Sequence, residues 1–90
     1  MKKVIKQPIS LTTDEALVLQ QISEHGEDDL ISLSHDLHMN RHRVIELLNR
    51  LRRKGLITVR ATYGDWWVQT SIRGKRLVAY MWPELAPVRI

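Results

Sequence analysis

The stretch MNRHRVIELLNRLRRKGLI, Met39 to Ile57, sets five arginines and one lysine among seven aliphatic side chains. Val44, Leu47, Leu48 and Leu51 recur at i, i+3, i+4 and i+7, which confines them to about a third of a helix's circumference. His42, Glu46, Asn49 and Arg53 centre on the opposite side, with Ile45 on one flank and Arg43 and Arg50 on the other. Asn40 has the chemistry of an N-cap and Gly55 that of a stop, so a helix is predicted over 40–54. One of its sides is apolar enough to join a core. The other is either a solvated surface kept soluble by arginine or a face that meets something acidic.

Working outward, TTDEALVLQQISEHG (Thr12–Gly26) places Thr12 and Glu15 at the spacing of a capping box. Ala16, Val18, Leu19 and Ile22 share a helical face, and Gly26 ends the pattern. GEDD reads as a turn, after which Asp29 caps a short helix, LISLSHDLH, with Leu30, Leu33 and Leu37 on one side. Downstream, LITVRATYGDWWVQTSI is rich in β-branched and aromatic residues and alternates in its first half. It reads as a hairpin turning at Gly64, which supplies positive φ. Ser71 or Thr70 can cap a last helix, IRGKRLVAYMW, burying Leu77, Val78 and Met81 and stopping before Pro83. The predicted order is helix, helix, helix, hairpin, helix: a mainly α fold with one small hairpin, in the α+β class. Residues 11–82 form the domain, 1–10 a basic arm and 83–90 a tail.

Charge is unevenly spread over the 90 residues. Residues 1–30 hold three lysines against six carboxylates, whereas 31–60 hold seven Lys and Arg against Asp36 and Glu46. Four cations face Asp65 and Glu84 in the last thirty. A basic middle and end beside an acidic start is the footprint of a nucleic-acid binder, though many solvated helices are also basic. There is no cysteine, which removes disulfides and thiolate metal sites. The start is basic but lacks a signal peptide's apolar run, and no stretch approaches the ~20 apolar residues of a membrane span. A cytoplasmic protein is expected, with no membrane partner.

At this point LSHDLHMNRHRVIELLNRLRRKGLITV (Leu33–Val59) resembles the winged helix-turn-helix of small bacterial and archaeal transcriptional regulators, MarR-like in the broad sense. Leu33, Leu37, Met39, Val44, Leu48, Leu51, Gly55, Leu56 and Ile57 fit that spacing. Ser71 and Gly74 in TSIRGKRLV stand where the family has its Thr-x-x-Gly. His38 replaces the turn's usual glycine, and the wing lacks the Asp-x-Arg signature of the antibiotic-resistance regulators. Binders of Z-form nucleic acid share the scaffold, but Ile45 and Asn49 stand where they need Asn and Tyr, and this wing has no proline.

The resemblance implies sequence-selective binding of double-stranded DNA, with helix 40–54 in the major groove and wing 57–71 on the flanking backbone. Its base-contacting positions carry over as Arg41, His42, Ile45, Glu46 and Asn49. Arginine can bridge guanine acceptors, asparagine pair with adenine, glutamate accept from cytosine, and isoleucine pack on a thymine methyl. Arg43, Arg50 and Arg53 on the helix, Arg60 and Thr62 in the wing, and Arg73 and Lys75 beside it are candidates for phosphate. Leu17, Tyr80 and Trp82 fall off the predicted core faces, on the helices through which relatives often dimerise. They form the candidate homodimer interface. In the wing, Trp66 alternates with Val68 and Thr70, and Trp67 takes the other face; the pattern leaves open which face is core.

Other chemistry finds little support. His35, His38 and His42 are close in sequence but lie on different elements, so no metal site is expected. No nucleophile–base pair, phosphate loop or carboxylate pair suggests catalysis. No cofactor is expected, and so small a core leaves little room for an effector. The rival is a protein-interaction module built on the same scaffold, motivated by Trp67, Tyr80 and Trp82.

Overall fold

A computed structural model describes residues 10–85. The arm expected over 1–10, apart from Ser10, and the tail beyond Leu85 lie outside the described residues. The elements are α1 (Thr13–His25), β1 (Glu27–Asp29), α2 (Leu30–Leu37), α3 (Arg41–Arg53), β2 (Ile57–Thr62), β3 (Asp65–Thr70) and α4 (Ile72–Met81), closed by a 3-10 turn, Pro83–Leu85. This is a winged helix-turn-helix arrangement. No helix among the described residues is long and apolar enough to cross a membrane.

Each helix starts where a side-chain oxygen accepts an orphan N–H. Thr12 and Glu15 close a full capping box on α1, Asp29 accepts from Ser32 on α2, Asn40 from Arg43 on α3, and Ser71 from Gly74 on α4. The tight turn between α2 and α3 depends on His38 at φ 55°, ψ 43°, the left-handed geometry that glycine usually supplies. It closes with the Met39 N–H on the Ser34 carbonyl.

The segment GEDD is not only a turn. Glu27–Asp29 forms a third strand, antiparallel to β3 and pairing Glu27 with Gln69, Asp28 with Val68 and Asp29 with Trp67. Nothing in Glu-Asp-Asp favours a strand by propensity. The ladder forms because the far edge of β3 offers unpaired backbone groups, giving the order β1-β3-β2. At the hairpin tip both Tyr63 (φ 50°) and Gly64 (φ 78°) have positive φ, as a two-residue primed turn requires. Val68 and Thr70 are buried and Trp66 packs on the core, so the core face of β3 is the one that carries Trp66.

Val18, Leu19 and Ile22 of α1, Leu30 and Leu33 of α2, and Val44, Leu47, Leu48 and Leu51 of α3 fill the centre. Leu56, Ile57, Val68, Leu77 and Val78 close it from the sheet and α4. One carboxylate is buried against this core. Glu15, 2% exposed, accepts from the Thr12 N–H at 2.9 Å and from Lys54 Nζ at 2.8 Å. Lys54 also donates to the Ser10 carbonyl, so the start of α1 is fastened to the end of α3. Burial pushes the Glu15 carboxyl up. The hydrogen bonds from Lys54 and Thr12, with the charges of Lys54 and Arg50, more than reverse this and hold it below its ordinary value.

A second fastening joins α3, β2 and α4. The Ser71 hydroxyl donates to the Gly55 carbonyl at 2.6 Å and accepts from the Gly74 N–H at 3.0 Å, while the Ser71 N–H donates to the Leu56 carbonyl at 2.9 Å. Gly74 rests against Leu56 so closely that a Cβ would stand 2.0 Å from its carbonyl oxygen.

Two stability outcomes follow from these contacts. Gly74→Ala forces α4 away from β2 and should cost about 3 kcal/mol, the upper range for overpacking, in chemical denaturation. Glu15 has a lowered folded pKa, so its contribution is present above its unfolded value of 4.5 and is lost as pH falls through the folded value. Lys54→Met leaves the buried carboxylate short of its main partner. It should cost about 2 kcal/mol at neutral pH, a cost that shrinks as pH falls and the Glu15 carboxyl is protonated, so the acid limb of the stability profile flattens.

Candidate nucleic-acid interface

The helix α3 is held by one apolar stripe, and its other sides reach solvent or its neighbours. Arg41 and His42 are exposed in its first turn, close to where Asn40 caps it. Arg52 and Arg53 are exposed in its last turn. None of these three arginines makes an ion pair among the described residues. Asn49 is half-buried between them. Ile45 is partly buried and packs on the core, so much of its surface is already committed there.

The flank carrying Arg43 and Arg50 is not free cationic surface. Arg43 donates to Asp14 of α1 at 2.9 Å and to Glu46 at 2.9 Å, and Arg50 donates to the other oxygen of Glu46 at 3.0 Å. Asp14, Arg43, Glu46 and Arg50 thus form an alternating row with no net charge. Hydrogen bonding to Asp14 and then Glu46 raises the Arg43 pKa. The Arg43 hydrogen bond, with the charges of Arg43 and Arg50, lowers that of Glu46. Glu46 lies opposite the apolar stripe, as its helical position predicts, and is exposed. Its two bonds belong to the i−3 and i+4 spacings along the helix, which were also there to be read.

In the wing, Arg60 is two-thirds exposed and pairs with Glu27 across the sheet at 3.2 Å. Thr62 stands opposite Asp65 at the hairpin end. Arg73 and Lys75 are exposed in the first half of α4. Arg73 also lies over the end of α3, where a Cβ on Gly55 would stand 3.5 Å from its Nη1. Among the described residues, the cations near the helix ends without an ion pair are therefore Arg41, Arg52, Arg53, Arg73 and Lys75. Helical angle alone does not pick out Arg52, which projects beside Ile45 near the edge of the apolar stripe. Exposure at the helix end, rather than angle, makes it available.

The expected dimer group separates in the structure. Leu17 and Tyr80 are exposed, at 43% and 64%, as predicted for residues off the core. Trp82 is half-buried and packs against the core, which corrects its placement off the core face. As the C-cap of α4, beyond the last helical turn, its ring escapes the periodicity that set the expectation. Ile31, Tyr63 and Ile72 are further exposed apolar side chains.

No protein-family model matches the chain, and no curated protein matches it. Solved structures do. The chain is similar to AbfR bound to DNA, with 17% identity, 83% of this chain and 55% of that one covered, and a TM-score of 0.74. It is similar to BpsR of Bordetella bronchiseptica, whose DNA binding is regulated by 6-hydroxynicotinic acid, with 23% identity, 81% and 53% covered, and a TM-score of 0.74. A mutant of MarR from E. coli complexed with operator DNA gives 18% identity, 87% and 61% covered, and a TM-score of 0.70. At such identities the likeness establishes the winged-helix fold. The chain spans about half the length of AbfR and BpsR.

Proposed function

We propose that this chain binds double-stranded DNA, with α3 in the major groove and the β2–β3 wing on the flanking backbone, as the DNA-binding part of a transcriptional regulator. The observation that carries this reading is the solvent face of α3. Its hydrogen-bonding side chains Arg41, His42 and Asn49 run toward Arg52 and Arg53, which have no ion pair among the described residues, on a helix the core holds by its opposite side. The solved complexes of AbfR and MarR with DNA support the same reading. Arg41, His42 and Asn49 are assigned to base edges, where arginine and asparagine make bidentate contacts. Ile45 is left to a thymine methyl through its exposed part. Arg53, Arg60, Thr62, Arg73 and Lys75 are assigned to phosphate, and Arg52 joins them.

Arg43, Arg50 and Glu46 act together in this proposal. A phosphate approaching Arg43 or Arg50 must compete with a carboxylate already bonded to it. Glu46 therefore sets how readily the flank binds any polyanion, whether or not it also accepts from a cytosine. A second copy of the chain docked through Leu17 and Tyr80 would present two α3 helices to a two-fold related target, with half-sites about one turn of DNA apart.

Fluorescence anisotropy on short duplexes tests the core of the proposal. Binding should weaken steeply with salt, and Arg52→Ala with Arg53→Ala should lower the slope of log affinity on log salt by roughly two. No binding at low salt, or an unchanged slope, would falsify it. Glu46→Ala should tighten binding to unrelated duplexes several-fold while narrowing the gap between preferred and random sequences. A uniform loss of affinity would contradict the part given to Glu46.

A further inference from the structure

The structure brings together a donor group that lies apart from the α3 face. His25 in the last turn of α1, Asp28 in the middle of β1 and Asp36 near the end of α2 each place a ligand atom within 4.8 Å of the other two. We propose that these three residues bind a divalent transition cation of the zinc class and so fasten α2 to the end of α1.

Three observations carry this. The first is charge. Asp28 is 5% exposed, yet among the described residues it has no Lys or Arg partner; its side chain meets His25 Nδ1 at 2.8 Å and the Asp29 N–H at 3.0 Å. Buried carboxylates are ordinarily paired with a full cation or bound to a metal. Asp36 is likewise met only by imidazole and amide groups: His35 at 3.5 Å, and Gln21 at 3.5 Å. Among the described residues the two carboxylates meet no guanidinium or ammonium; their balancing charge is the proton on His25, whose pKa the Asp28 hydrogen bond raises, and a metal ion would supply that charge in its place.

The second is geometry. Tetrahedral zinc holds nitrogen and oxygen ligands at about 2.0–2.2 Å, which sets them roughly 3.3 Å from one another. His25 and Asp28, at 2.8 Å, need to part by about half an ångström from a contact they already make. The ion takes the place of the proton they share, which leaves to solvent. Asp36 is partly exposed and on a helix surface, so its side chain can close on the same point. Gln21, one turn before His25, lies 3.5 Å from both His25 Nε2 and Asp36 Oδ2, placed to orient the outer pair.

The third is the donor set. One imidazole and two carboxylates suit zinc, manganese or cobalt. They are too hard for copper(I) and too few in oxygen for calcium. Three protein ligands leave a fourth position to water.

Titration of the metal-free chain with Zn2+ or Co2+ alone, followed by calorimetry and by Co2+ visible absorption, tests this directly. One ion should bind saturably. His25→Gln and Asp36→Asn should each weaken uptake roughly tenfold or more. His38→Asn, which removes a histidine outside the cluster, should leave it unchanged. Circular dichroism without metal checks folding. Asp36 is surface-exposed, so Asp36→Asn decides the matter should His25→Gln fail to fold. Absence of saturable uptake, or uptake equal in the wild type and in Asp36→Asn, overturns the site. Any effect of the ion on DNA affinity rests on the function proposed above; uptake itself does not, so the two can fail separately.

Discussion

A single hydroxyl at Ser71 organises the half of the molecule that follows α3. It donates to the carbonyl just beyond α3 and accepts from the first turn of α4. Its own backbone N–H meets the carbonyl of Leu56, where β2 begins. Three elements that leave one another in different directions are therefore pinned within a few ångströms. Gly74 makes this approach possible because it has no side chain to oppose it. The orientation of the hairpin relative to α3 is fixed here, by backbone groups that would otherwise be orphaned, and not by the apolar core alone.

Charge is used inside the molecule before any of it faces outward. Lys54 is spent on Glu15 and the Ser10 carbonyl, Arg43 on Asp14 and Glu46, Arg50 on Glu46, and Arg60 on Glu27. The pairs at the surface add little to stability individually. Their larger effect is on position, since they draw the acidic start of the chain onto the basic helix. The halves that look oppositely charged in the sequence are complementary faces of one another. Among the described residues, the arginines left without an ion pair are a smaller and more localised set than composition implies.

The helices, their caps and the hairpin were legible because each depends on residues a few positions apart. Thr12 with Glu15, Asn40 with Arg43, and the four-residue stripe of α3 are local patterns. The left-handed His38 was legible only through the family's spacing, since histidine has no preference strong enough to announce it. What stayed hidden depends on distant partners. β1 exists because β3 has an edge to fill, and no feature of Glu-Asp-Asp reports that edge. Glu15 is buried because Lys54, thirty-nine positions on, reaches it. Angles around α3 picked out its buried stripe, Val44, Leu47, Leu48 and Leu51, but not that Ile45 also packs on the core or that Arg52 is exposed. They did not show which arginines were already occupied, because Asp14 comes from another helix.

The sheet's unequal strand lengths have a mechanical consequence. β1 spans only Trp67–Gln69 of β3, whereas β2 pairs with β3 along its whole length, out to Thr62 and Asp65. The base of the hairpin is thus braced on both sides and the outer part on one. Under a sideways load the ribbon should bend near Trp66, beyond the last β1 pairing, as a cantilever bends at its support. The Arg60–Glu27 bridge lies on the braced side of that point and Tyr63 at the free end. A hairpin of this build is stiff where it meets the domain and compliant at its tip. It can adjust to a curved surface without transmitting the strain to α3.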